Sequence, residues 1–358
     1  MEISTPGRIC LFGEHQDYLG LPVVAMAISL RVKIIGKKRK DRKIIIHKPD
    51  IDETESFELD NLGYTNDRDY FKSGIRICER MGLSFENGFD CVIRSHIPFQ
   101  AGTSSSSAIV VSWINFLAQL ADHPPTWTQK KIGELAYLAE SIEFGESGGM
   151  MDQYSTACGG LIHIKSEPNI SVEKIDSELG SFVLGDSCEP KKTLEILNRC
   201  KSIRIEIFDK IKSVNPDFNL HTCGYEEDLS GLNNQERSLF YATLKNRDLL
   251  EKSLIELAKE KIDNEYFGNL LNQEHEILRD SLNISTKKIE SMLSVALSAG
   301  ALGGKINGSG GGGCMFAYAP KDPEAVASAI ESVGGRAYII GKDQGTKISS
   351  KKRIKINE

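Results

Sequence analysis

The stretch that most constrains this chain is Pro98-Phe99-Gln100-Ala101-Gly102-Thr103-Ser104-Ser105-Ser106-Ser107-Ala108, which runs without a break into an apolar segment from Ile109 to about Ala121. Ahead of it, Phe89, Cys91, Ile93 and Ile97 alternate with Asp90, Arg94 and His96, the pattern of a half-buried strand. Behind it, Ile109, Val110, Trp113, Leu117 and Leu120 recur at helical spacing. The order is therefore strand, small-residue loop, helix. A helix start leaves several backbone N–H groups unbonded and carries partial positive charge, so a Gly and Ser loop there can wrap a phosphate closely. Its hydroxyls add donors, and one can ligate Mg²⁺. No Gly-Lys-Ser/Thr follows Gly102, which excludes a Walker loop and leaves amides, the helix dipole and hydroxyls as the means of holding a nucleotide. An ordinary Ser-rich N-cap or a flexible linker fits the same residues.

With 358 residues the chain is long enough for two domains at about 150 residues each. A formal net charge of -6, with basic runs only at Lys37 to Lys43 and Lys351 to Arg353, gives no footprint for nucleic acid. Eight cysteines are scattered without a Cys-x-x-Cys or a His pair at zinc spacing, as small core residues in a reducing compartment are. Met1 leads almost directly into a strand-like segment, so no signal peptide is expected, and no window reaches the roughly 18 apolar residues of a spanning helix. The expected location is cytoplasmic.

Gly7 to Tyr18 runs from a short strand into a turn dense with ionisable groups: Glu14, His15 and Asp17. Val23 to Ile35 reads as one or two buried strands, Lys43 to His47 as another, and Tyr70 to Met81 as a helix. Ile132, Leu135, Ala136 and Ala139 mark a further helix with Glu140 at the edge of its apolar stripe. A carboxylate there is costly unless it is paired, bound to a cation or turned to solvent, and solvent is the simplest of the three. A glycine-rich turn, Gly145 to Gly149, then delivers Asp152 at the start of the next helix. After Ser166 come a strand-like Phe182-Val183-Leu184, helical patterns at Arg237 to Ile262 and around Ile289 to Leu297, and the run Gly303 to Gly313. That run enters the strand Cys314 to Ala319, followed by a helix from about Pro323 and a strand at Arg336 to Ile340, an order that fits a small α+β unit with helices on one sheet face. Glycines so placed permit positive φ and a close approach of backbone or ligand.

Three of these segments, in order, resemble the motifs of the GHMP kinases, the superfamily of galactokinase, homoserine kinase, mevalonate kinase and phosphomevalonate kinase. Gly7 to Tyr18 resembles the galactokinase signature Gly-Arg-Val-Asn-Leu-Ile-Gly-Glu-His-Thr-Asp-Tyr, Pro98 to Ala108 the family's phosphate loop, and Lys305 to Gly313 its glycine-rich third motif. Asp152-Gln153 is similar to the galactokinase Met-Asp-Gln segment, and Arg237 to Tyr241 to the helix that supplies a sugar-binding tyrosine. The resemblance implies an α+β, two-domain GHMP kinase fold, with a ribosomal-protein-S5-domain-2-like unit over residues 1–165 and a ferredoxin-like unit over 166–358, whose last residues return to the first. The active site would lie in the cleft between them.

Carried over position by position, the resemblance implies that Gly102, Thr103, Ser104, Ser105, Ser106 and Ser107 cradle the phosphates of ATP, while Ser106 and Glu140 hold Mg²⁺. Glu140 lies twelve residues before Asp152, the galactokinase offset, which turns the reading of Glu140 from solvent to metal. Asp152 and Arg8 form the implied catalytic pair. Glu14, His15 and Asp17 would bind sugar hydroxyls, Gly149 would offer backbone contacts, Tyr241 would touch the ring, and Gly308 and Gly310 would close over the nucleotide. The implied partners are a small sugar and ATP, with no nucleic acid and no membrane, in a monomer or weak dimer. The implied reaction phosphorylates the anomeric hydroxyl of galactose or a close relative, giving a sugar 1-phosphate and ADP. A kinase for arabinose, a uronic acid or an N-acetylhexosamine, or a non-catalytic sugar- and ATP-binding regulator, are the alternatives. Departures from the galactokinase pattern bear on the sugar: Cys10 stands for the usual Asn, Gln16 for Thr, and Leu184 to Thr193 lacks the Asn-Ser-x-Val-Arg-His pattern.

Overall fold

The computed structural model describes residues 1–99, 101–146, 148–191 and 193–349. Gln100, Ser147, Lys192 and the basic run Lys351 to Arg353, named above, lie outside them. The strands are β1 (Glu2–Phe12), β2 (Val23–Lys38), β3 (Lys43–Lys48), β4 (Glu53–Glu58), β5 (Phe89–Ser95), β6 (Leu161–Lys165), β7 (Ser171–Lys174), β8 (Phe182–Asp186), β9 (Gly303–Ile306), β10 (Cys314–Tyr318), β11 (Arg336–Ile340) and β12 (Lys347–Ser349). The helices are α1 (Tyr70–Arg80), α2 (Ser105–Leu120), α3 (Gln129–Tyr137), α4 (Met151–Cys158), α5 (Thr193–Val214), α6 (Asn234–Leu257), α7 (Asn264–Glu276), α8 (Lys287–Ser298) and α9 (Pro323–Ser332).

The larger sheet runs in the order β12-β1-β2-β5-β3-β4, and β6 joins it by pairing with the first residues of β2 and with β7. Among the described residues, only β3 and β5 pair in parallel. A sheet whose central strands are buried on both faces needs continuous apolar runs, and Val23 to Ile28 supplies one without a break. Helices α2 and α4 lie against β1, and α2 also crosses β2. On that face Trp113 stacks on Phe116 at 5.6 Å, and its indole N–H donates to the Phe71 carbonyl at 2.9 Å. Past the boundary expected at residue 165, β7 still belongs to this sheet, and β12 returns to pair with β1.

The smaller sheet, β11-β8-β10-β9, is antiparallel throughout. Its strands alternate with period two. Val183, Met315 and Ala317 face α8 and α9, as the α+β reading expects. Phe182, Leu184, Phe316 and Tyr318 face the other way and share one core with Ile9, Leu11, Val24 and Met26 of the larger sheet. All eight cysteines are free, seven of them buried and Cys188 exposed. Among the described residues no helix is long and apolar enough to cross a membrane.

One buried polar cluster ties the two sheets together. The Lys305 ammonium, wholly buried on β9, donates to the Cys10 carbonyl at 2.8 Å and lies 3.3 Å from Glu14 and 3.7 Å from Glu274 on α7. Glu274 Oε1 accepts from the Gly13 and Glu14 amides at 3.1 and 2.9 Å, while burial pushes its carboxyl up to about 7 against the pull of Lys305. Removing the one cation leaves two carboxylates buried together, which costs far more than the pair contributes. Lys305→Met should therefore destabilise the fold by about 3–5 kcal/mol, read from the urea midpoint. An unchanged midpoint would remove this cluster from any part in stability.

Candidate active site

The turn before α2 is fixed from three directions. Gly102, at φ +82, offers its carbonyl to Arg8 Nη1 at 2.6 Å and to Asn307 Nδ2 at 2.8 Å. The Thr103 carbonyl accepts from the Arg8 amide at 3.2 Å, and the Ala101 carbonyl from the Cys314 amide at 2.7 Å. Ser104, at the N-cap with φ 58, contributes no side-chain cap, so the first turn keeps its amides for a ligand. Ser104, Ser105, Ser106 and Ser107 line one wall of a cleft of about 900 Å³.

Arg8 reaches this wall because β1 is irregular. Its register against β2 shifts between Pro6 and Arg8, and Gly7 there has no room for a side chain, since a Cβ would meet the Thr103 carbonyl at 2.9 Å. Such a bulge re-aims the next side chain. The Arg8 guanidinium then grips Asp152 Oδ1 with two nitrogens, Nε at 2.9 Å and Nη2 at 2.7 Å. Asp152 Oδ2 carries no hydrogen bond among the described residues, and Asp152 lines the cleft from the first turn of α4.

Glu140 sits in a single wide turn, Leu138–Ile142, that prolongs α3 with π geometry. Such turns shift the helical phase and recur at functional sites. Here the shift buries Glu140 instead of leaving it at the stripe's edge in solvent. Its Oε2 accepts from Gln153 Nε2 at 2.7 Å. Burial pushes its carboxyl up to about 7, and hydrogen bonds from Gln153, Ser107 and Ser106 oppose that rise. It has no cationic partner among the described residues, and a hydroxyl and a buried carboxylate side by side suit a hard divalent cation that also takes phosphate oxygens.

At the other end of the cleft stand Glu14, His15, Asp17 and Gly149. Glu14 Oε2 is committed to the Gly308 amide at 2.8 Å and to Lys305, while Oε1 has no hydrogen bond among the described residues. His15 has both ring nitrogens engaged: Nε2 donates to the Ser309 carbonyl at 3.1 Å and Nδ1 accepts from the Tyr18 hydroxyl at 2.8 Å. Burial and the charge of Arg204 hold His15 down at about 4, so the ring is neutral. Arg204 in turn donates to the Tyr18 hydroxyl. Asp17 takes the Tyr18 and Met151 amides and has no ion pair among the described residues; Gly149 must stay bare because a Cβ would collide with the Asp17 carboxylate.

The structure brings together Arg8, Glu14, His15, Asp17, Gly102, Ser104 to Ser107, Glu140, Gly149, Asp152 and Gly308. Three expected residues stay out of the cleft. Tyr241 lies on the outer face of α6, stacked on Tyr225 at 6.0 Å, because burial of its neighbour Phe240 sets the phase of the helix. From α6, the buried Asn246 instead supports the turn of Glu14, donating to the Glu14 carbonyl at 3.1 Å. Gly310 packs against Ile284 on the far side of its loop, and the Thr103 side chain is buried behind the phosphate-loop candidate. Sequence reasoning missed Gln153, which positions Glu140, and Lys191, which lines the cleft from the β8–α5 connection. Gln153 lies within a quoted motif and could have been found; Lys191 lies in a polar turn with no signal beyond its charge.

Comparison with known proteins gives concordant matches. Residues 69–160 match the GHMP kinases N terminal domain, residues 252–338 the GHMP kinases C terminal domain, and residues 2–38 the galactokinase galactose-binding signature. The chain is 30% identical over 346 residues to a mevalonate kinase of Thermococcus gammatolerans, covering 94% of each. It is 26% identical over 349 residues to a galactokinase of Actinobacillus succinogenes, covering 90% of this chain and 86% of that one. Its fold matches the crystal structure of Lactococcus lactis galactokinase complexed with galactose at a TM-score of 0.85 and 20% identity, covering 97% and 94% of the two chains.

Two of the cleft carboxylates, Asp17 and Asp152, make a titration test. Burial first, and the charge of Asp152 second, push the Asp17 carboxyl up to about 6, so it is neutral below that pH and charged above it. Its ¹³C carboxyl signal should titrate near pH 6 in the free protein. Asp152→Asn, by removing the second charge, should move the midpoint down; a midpoint that stays put would separate the two groups electrostatically.

Proposed function

The chain belongs to the GHMP kinases, ATP-dependent phosphotransferases acting on small-molecule alcohols, and from that premise we propose that it phosphorylates the anomeric hydroxyl of galactose or a closely related sugar. The products would be the sugar 1-phosphate and ADP. One observation carries this reading: Asp152, gripped through Oδ1 by Arg8 and with Oδ2 unbonded among the described residues, lines the same cleft as the uncapped, serine-lined head of α2.

In the proposed mechanism the amides and hydroxyls of Ser104 to Ser107 hold the phosphates of ATP, and Asp152 Oδ2 orients the acceptor hydroxyl toward the terminal phosphorus. As the new P–O bond forms, Asp152 accepts the hydroxyl proton, the bond to the bridging oxygen breaks, and ADP leaves with that electron pair. Arg8 fixes the carboxylate and adds positive charge where negative charge develops. Ser106 and Glu140 would hold Mg²⁺, which when bound neutralises phosphate oxygens. Glu14 Oε1 and Asp17 accept hydrogen bonds from sugar hydroxyls. Glu14 Oε1 takes no hydrogen bond among the described residues and each Asp17 oxygen takes a single amide, so both side chains can still accept from a neutral polyol, and a missing or inverted hydroxyl would leave buried acceptors unpaired. The match of residues 2–38 to the galactose-binding signature supports the same substrate class.

A second reading, mevalonate as acceptor, is favoured by the 28–30% identity to archaeal mevalonate kinases and by the cationic Lys191 in the cleft. A panel of galactose, arabinose, a uronic acid, an N-acetylhexosamine and mevalonate, read by ADP release and product analysis, separates the two. Turnover of galactose or a related sugar with mevalonate silent is expected; turnover of mevalonate alone would overturn the sugar assignment.

Two variants test the assigned roles. Asp152→Asn should lower kcat by about 10²–10⁴-fold, the range of a lost general base, while leaving ATP affinity in place. Near-normal turnover would take Asp152 out of the chemistry. Ser106→Ala should shift the Mg²⁺ dependence of turnover to higher concentration, and an unmoved titration would refute it as a ligand.

A further inference from the structure

On the phosphotransfer reading above, the geometry points to Lys191 as a further catalytic residue, its ammonium contacting the phosphoryl group in transit. Lys191 lies in the connection from β8 to α5, one of the stretches that depart from the galactokinase pattern. Its ammonium has no hydrogen bond and no ion pair among the described residues, and it lines the cleft together with Arg8, Gly102 and Asp152.

Two glycines, one from each glycine-rich loop, pack against it, and both are also held bare by positive φ and by a neighbouring carbonyl, of Asn307 at Gly102 and of Ala101 at Gly313. A Cβ on Gly102 would meet the Lys191 ammonium, and a Cβ on Gly313 would meet its Cδ at 2.6 Å. One residue earlier, a Cβ on Gly312 would press on Glu189 and on the Pro190 carbonyl, at 3.1 and 3.2 Å. The loop thus lies along Glu189 to Lys191 and forms one side of a slot whose other side is the first glycine of the phosphate loop. A lysine stem threaded between two glycines delivers its charge to one place.

That place calls for an anion the protein does not supply. Asp152 Oδ1 is taken by Arg8, and Glu14 Oε2 by Lys305 and the Gly308 amide. Around the ammonium stand Arg8 of β1, Glu14 of the turn after it, Asp152 of α4 and Cys314 of β10; burial first, with Arg8 adding to it, holds its pKa down at about 8. Beside Gly102 and next to the Arg8–Asp152 pair, the ammonium sits where the terminal phosphate of ATP and the acceptor hydroxyl would meet. Charge on the equatorial oxygens during transfer is what a preorganised cation stabilises.

The test uses nucleotide binding without acceptor. Calorimetric titration of the wild type with Mg-ATP and with Mg-ADP is expected to show tighter binding of ATP. Lys191→Met should weaken ATP binding about tenfold, as for one charge-assisted contact, while leaving ADP binding and the melting temperature close to wild type. Lys191→Arg should restore the preference for ATP. In the wild type that preference should weaken as pH rises past about 8, where the lysine loses its proton, and in Lys191→Arg it should persist. In turnover, Lys191→Met should lower kcat without raising KM for the acceptor. An ATP-to-ADP preference unchanged in Lys191→Met, or a rise in acceptor KM alone, overturns the assignment and gives Lys191 to the acceptor. Wild-type protein that binds neither nucleotide overturns the phosphotransfer reading itself.

Discussion

An arginine left only 3% exposed must find acceptors for its donors, and Arg8 finds them on a loop and on a helix at once. One nitrogen holds the Gly102 carbonyl in the turn before α2, and two others hold Asp152 at the head of α4. The distance between the turn that receives phosphates and the carboxylate that faces the acceptor is therefore set by a single side chain on the first strand. Because β1 is buried on both faces, it has no freedom to drift. Precision at the site comes from this rigid strand, which holds the turn before α2 and the first turn of α4 at once.

The glycines of the third motif complete the arrangement by staying out of the way. Gly308 approaches Gly102 so closely that a Cβ would meet its carbonyl oxygen at 2.7 Å, and Asn307 beside it bridges the Cys10 amide and the Gly102 carbonyl. Three segments far apart in the chain thus meet at one peptide group. The sugar-signature turn is held from the same side, through Glu14 to the Gly308 amide and through His15 to the Ser309 carbonyl. Its polar residues serve the architecture with one face and the cleft with the other.

Much of this was legible in the sequence because the elements that carry it have strong local patterns. Strand, serine-rich loop and helix follow from period two, small residues and period 3.6 in turn, and the three ordered motifs place Arg8, Asp152 and the phosphate-loop serines in one site. What failed to show depends on helical phase or on distant contacts. Glu140 reads as a stripe-edge residue on a regular helix, and a single wide turn moves it inside. Tyr241 was expected at the ring and faces outward because Phe240 takes the core position. Lys191 gains its meaning only from Gly102 and Gly313, one nearly ninety and the other more than a hundred positions away.

The apolar seam between the two sheets bears on how such a molecule can be taken apart. Phe182, Leu184, Phe316 and Tyr318 interlock with Ile9, Leu11, Val24 and Met26, and the strand at Lys347–Ser349 zips onto the edge opened by Glu2–Ser4. Neither half of the chain owns a finished layer. Severing the gene near the middle and producing the pieces apart would leave each with a bare greasy flank, so the lobes are fragments of one cooperative unit and any breathing of the cleft belongs to its rim.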